Sequence, residues 1–241
     1  MAPERTIRRF SRTERALHWV HASAFFVLFG SGLVLYLPRL SELVARRQFV
    51  KDVHLYTGLA WAVLIALLLL LGFRRGLRKT IRELERFDAE DLRWLLHRGG
   101  RAGRFNAGQK LNAIVTAAFA VLFAISGFLL WYGERDTRFR FANTILLHDG
   151  LMYVALVLVA GHLYLSLVHP STRHALQGMM RGTVDGGWAL RHHPRWEALA
   201  DDLDVWAKGG DGEPERLVED DRLAVLADAG HADVTPARDR R

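Results

Sequence analysis

The chain has 241 residues, half of them apolar, and a formal net charge of +7 from 33 Lys or Arg against 26 Asp or Glu. It contains no cysteine, which excludes disulfides, thiolate-bound iron-sulfur clusters and covalent c-type haem, so any metal must be held by histidine or oxygen ligands. The basic excess lies beside apolar runs, where anionic lipid headgroups account for it, and no nucleic-acid partner is expected.

The mean hydropathy of +0.04 averages two populations: long uncharged runs and strongly charged connections. The first run, residues 16–37, follows five arginines and two glutamates and is too long for a signal peptide, so it is expected to be retained. Three more follow at about 54–73, 111–131 and 147–169. Each is near the roughly 20 residues that cross a bilayer, which predicts an all-α membrane protein built as a bundle of four transmembrane helices.

The connections orient the bundle. Arg5, Arg8, Arg9, Arg12 and Arg15 precede the first span, and eleven Lys or Arg lie between Arg74 and Lys110, against four between Pro38 and Val53 and three between Tyr132 and Leu146. By the positive-inside rule both termini and the long middle loop are expected to be cytoplasmic. That loop places Leu77, Ile81, Leu84 and Phe87, then Leu92, Leu95 and Leu96, at amphipathic helical spacing, which suits a membrane surface or a partner. Residues 1–196 are expected to form the membrane domain. Residues 197–241, with Glu219 to Asp221 acidic, read as a partly disordered cytoplasmic tail.

Histidines mark the spans. "HDGLMYVALVLVAGH" carries His148 and His162 on one helix face, about 40° apart in azimuth and about 21 Å apart along the axis. A buried imidazole without a partner costs roughly 2 to 7 kcal/mol, so each is expected to bind something. Depth pairs inner His162 with His18 of the first span, and outer His148 with His54 of the second; His21, three residues after His18, and His169, two turns after His162, are alternative ligands. Two histidines at each of two depths read as two b-type haems, because zinc would want three or four ligands at one depth. Gly30, Gly32, Gly58, Gly127 and Gly161 would let a flat macrocycle approach, and equally suit ordinary helix packing. No side chain is expected to act as a catalytic acid, base or nucleophile.

With "RALHW" opening the first span, "HLYTG" the second, "RFNAGQKLN" before the third, the His148 to His162 interval and "HHPRW" at His192 to Trp196, the chain resembles the gamma subunit of membrane-bound respiratory formate dehydrogenase over about residues 5–200. The resemblance implies two haem b groups, ligated by His18 with His162 and by His54 with His148, which decides against His21 and His169. It implies an iron-sulfur beta subunit and a molybdenum or tungsten catalytic alpha subunit, a trimer of heterotrimers in the bacterial inner membrane, and menaquinone or ubiquinone as acceptor. The "NAGQK" segment carries the quinone site over to Asn106, Gly108 and Gln109, where neutral amides can donate to quinone oxygens; the same segment also reads as a loop and helix start.

Two other readings compete. The chain could be the cytochrome b of another respiratory enzyme, such as a nickel-iron hydrogenase or a thiosulfate reductase, which copurifying subunits would distinguish. Or it could be a haem-free anchor or metal-ion transporter, which a reduced-minus-oxidised spectrum would reveal.

Overall fold

A computed structural model describes residues 6–196. The tail at 197–241 lies outside the described residues. Four long helices dominate: α1 (Arg12–Tyr36), α3 (Arg47–Leu71), α6 (Ala107–Gly133) and α7 (Thr144–Leu163), the last prolonged by a π-helical turn at Tyr164–Val168. Their flanks are apolar and open, with Leu70, Leu146 and Val157 60%, 71% and 71% exposed. Such surface is tolerable only in lipid, and a helix is the element that satisfies its own backbone there.

The helices begin three to seven residues before the apolar runs do, and at α1 and α6 polar capping residues start the hydrogen-bond ladder. At α1, Ser11 Oγ accepts from the Glu14 amide and Glu14 returns a carboxylate oxygen to the Ser11 amide. Asn106 and Gln109 make the same reciprocal cap for α6. A short helix, α2 (Pro38–Val44), starts with proline at its first position and ends at Ala45, whose φ of 52° is left-handed. The amphipathic stretch is two helices, α4 (Arg74–Glu85) and α5 (Ala89–Leu95), because the Asp88 side chain caps the amides of Glu90 and Asp91 and restarts the helix. Leu77 is buried and Leu84 half-buried, whereas Ile81 and Leu92 remain 52% and 58% exposed, so most of that apolar face is open.

Packing pairs α1 with α3 and α6 with α7. At the end where α1 starts and α7 finishes, here the base, a small cap closes the bundle. Strand β1 (Thr6–Arg8) pairs antiparallel with β2 (Thr183–Asp185), Ile7 opposite Val184, after the short helix α8 (Leu176–Arg181). With α9 (Gly186–His192) they bury Ile7, Val184, Trp188, Ala189 and Trp196.

Candidate haem sites

His18 lies in the second turn of α1 and His162 in the last turn of α7, both toward the base. Their ring centroids are 6.2 Å apart, with planes at 56°. His54 of α3 and His148 near the start of α7 meet toward the opposite end, also at 6.2 Å, with planes at 69°. The four candidate ligands thus come together as two couples on one side of α7. His148 further rests its edge on Phe123 of α6 at 5.3 Å.

The His54–His148 couple, away from the base, is held by serines. Ser31 Oγ lies 2.9 Å from His54 Nδ1, and Ser126 Oγ lies 2.8 Å from His148 Nδ1. Both serines are buried. The two alternative histidines stand apart from the couples. His21 Nδ1 accepts from Trp61 Nε1 at 3.2 Å, and His169 Nδ1 lies 3.1 Å from Ser171 Oγ in the loop after α7.

A metal held about 2 Å from one nitrogen of each imidazole separates two ring centroids by about 6 Å, which is the spacing found at both ends. Among the described residues no third His, Asp or Glu joins either couple. The donor set therefore fits a group that brings its own equatorial ligands and asks the protein for two axial ones, as haem does. It does not fit a zinc or other ion held by side chains alone.

Asn106, Gly108 and Gln109 stand at the base, where α6 begins. Their carbonyl oxygens are committed locally: Asn106 Oδ1 accepts from the Gln109 amide at 2.8 Å, and Gln109 Oε1 accepts from the Asn106 amide and from Arg9 Nη2 at 3.1 and 3.3 Å. The two side-chain NH2 groups make no hydrogen bond among the described residues, so they remain available as donors. Gly108 lies under Trp94, whose ring a Cβ would meet at 2.9 Å.

Below this segment is a buried ionic network that sequence reasoning missed. Arg104 joins Glu14 and Glu83, donates to Thr80 Oγ1 and to the Arg9 carbonyl, and receives Arg9 Nη2 on its own carbonyl. Burial, with the charge of Arg104 adding to it, pushes the Arg9 guanidinium down to about 10, so it remains a cation at neutral pH. Lys110 pairs with Asp91 at 2.6 Å, both largely buried. No local motif announces these pairs. The serines were not read either, although each is a hydroxyl inside an apolar run followed by glycine.

The profile of the prokaryotic cytochrome b561 family matches residues 9–182. Among curated proteins, the chain is similar to the cytochrome b556(fdo) subunit of formate dehydrogenase from Escherichia coli (strain K12), 29% identical over 201 residues that cover 79% of this chain and 92% of that one. It is also similar to the nitrate-inducible cytochrome b556(Fdn) subunit of the same organism, 27% identical over 216 residues covering 81% and 92%. A third relative, the formate dehydrogenase cytochrome b556 subunit of Haemophilus influenzae, is 23% identical over 206 residues covering 79% and 82%. The family match spans well over half the sequence and all but the outermost parts of the described fold, and the chain is therefore a multi-pass membrane protein of the prokaryotic cytochrome b561 family, which carries haem b.

Proposed function

We propose that this chain is the dihaem cytochrome b subunit of a formate dehydrogenase complex, passing electrons from an iron-sulfur beta subunit across the bacterial inner membrane to menaquinone or ubiquinone. Formate oxidation belongs to a molybdenum or tungsten alpha subunit. The relatives' names support the complex, and one observation carries the mechanism: two imidazole couples at two depths of one bundle, at the separation an axially ligated metal requires. His18 with His162, and His54 with His148, are the axial ligands. Haem held there supplies a one-electron carrier near each leaflet.

The quinone site is at the base, where the amide NH2 groups of Asn106 and Gln109 donate to a quinone oxygen beside Gly108. The base carries the arginine-rich loop and faces the cytoplasm by the positive-inside rule, with both termini on that side. Reduction of one quinone takes two electrons and two protons. Drawing those protons from the cytoplasm while formate releases protons outside separates charge without a pump.

The test is the His162→Ala variant in the assembled complex. The wild type should show two b-type centres in a reduced-minus-oxidised spectrum and copurify with a molybdopterin or tungstopterin protein. The variant should lose one centre and quinone reduction while oxidising formate with an artificial acceptor. A wild-type spectrum without haem, or a variant that keeps both activities, would overturn the reading.

A further inference from the structure

We propose that Ser31 and Ser126 are positioning residues of the His54–His148 site, each locking one imidazole as its Nδ1–H tautomer and thereby lowering the redox potential of that centre relative to the His18–His162 centre. The inference rests on the reading above that these histidines ligate haem.

The tautomer follows from the serines' own hydrogen bonds. Ser31 Oγ lies 2.7 Å from the Val27 carbonyl and 3.2 Å from that of Leu28, and Ser126 Oγ lies 2.7 Å from the Leu122 carbonyl and 3.3 Å from that of Phe123. A carbonyl only accepts, so the single hydroxyl proton is spent on it. The serine oxygen must then accept from the histidine, which makes Nδ1–H the donor at 2.9 and 2.8 Å and leaves Nε2 with the lone pair that binds a metal.

The arrangement occurs twice. Ser31-Gly32 of α1 holds His54 of its packing partner α3, and Ser126-Gly127 of α6 holds His148 of its packing partner α7. In each the histidine edge lies against the glycine: a Cβ would touch His54 Cε1 at 3.4 Å in the first and His148 Cε1 at 3.5 Å in the second. The same dipeptide on two helix pairs thus fixes both the tilt and the proton of the outer imidazoles. The inner couple has no counterpart. Among the described residues, ring-nitrogen hydrogen bonds are made by His21, His54, His148, His169, His192 and His193, and not by His18 or His162.

An acceptor on Nδ1–H polarises the ring and makes the other nitrogen a stronger donor, which favours the oxidised, more positive metal. The centre at His54–His148 is therefore the more reducing of the two. That gradient drives electrons toward the base.

The experiment uses the assembled complex in its membrane, with Ser31→Ala, Ser126→Ala and the double variant, measuring haem content by difference spectroscopy and each centre's midpoint potential by optical potentiometry. His162→Ala identifies the outer centre's spectrum. The outer centre should shift to a more positive potential in each single variant and further in the double, with the inner centre unmoved. Ser126→Thr, which keeps the hydroxyl, should stay near wild type, and Ser126→Val, which replaces it with a methyl of similar size, should shift or lose the outer haem. Two haems with unmoved potentials, an equal shift at both centres, or Thr and Val behaving alike would overturn the serine assignment. A wild type lacking two b-type centres would instead overturn the reading beneath it.

Discussion

His193 is 2% exposed, and its Nδ1–H donates to the Gly103 carbonyl at 2.7 Å, sewing the "HHPRW" segment to the loop before α6. Burial first, and then the nearby charge of Arg9, push its pKa from 6.5 down to about 4, against the weaker opposing pull of that hydrogen bond. An unfolded cap therefore binds more protons than a folded one between those values. The stability of the cap is complete above about pH 6.5 and falls by roughly 3 kcal/mol as the pH drops toward 4. Fluorescence of the buried Trp188 and Trp196, followed from pH 7.5 to 4.5, should report opening of the cap, and His193→Gln should flatten the profile. A wild-type signal independent of pH would refute a neutral buried His193. The same local reading separates neighbours in α1. His21 already spends Nδ1 on Trp61 and lies outside both couples, so His21→Leu should retain two b-type centres, whereas His18→Leu should retain one. Haem-to-protein stoichiometry decides between them.

On the proposed function, the start of α6 serves two purposes. Asn106 and Gln109 cap the helix with their oxygens while their NH2 groups stay available, so capping and quinone binding do not compete for the same atoms. Substitution can separate them. Asn106→Ala should cost about 1 kcal/mol of stability through the lost cap. Asn106→Ser restores an oxygen that can cap but no amide donor, so it should keep the melting temperature and still raise the KM for quinone several-fold. Equal quinone kinetics in the wild-type and Asn106→Ser complexes would leave the residue a cap alone. Capping chemistry of this kind was readable in "NAGQK" as a helix start. The break between α4 and α5 was not read, although Asp88 with Asp91 three residues later is a cap signal, because the apolar spacing runs on through Leu84 and Phe87 and masks the interruption.

At the scale of the molecule, the spans and the depth of their histidines were legible because hydropathy and helical rise are local, additive properties. The base was not, because its parts come from distant stretches of chain: β1 pairs with a strand more than 170 residues later, and Arg104 answers carboxylates on α1 and α4. Three-residue strands carry no periodicity to detect, and an ion pair has no sequence signature until the fold brings it together. Arg104 is the keystone of that base, its side chain 9% exposed and its donors shared among Glu14, Glu83, Thr80 and the Arg9 carbonyl. Removing it leaves Glu14, only 10% exposed, without its cation, and Glu83 with only the longer Lys79 pair at 3.9 Å; stripping a buried carboxylate of its partner typically costs about 3 to 5 kcal/mol. Arg104→Ala should therefore loosen the base while sparing the far end of the bundle, where Ser31, Ser126 and the His54–His148 couple have no contact with the network. Limited proteolysis should cut within residues 74–106 much faster than in the wild type, with the outer b-type centre still present in the spectrum. Arg104→Lys should recover little, since one ammonium cannot span the partners that a guanidinium fork reaches. Protease resistance equal to wild type in Arg104→Ala would show that the strand pair and the apolar cap hold the base without the ion network.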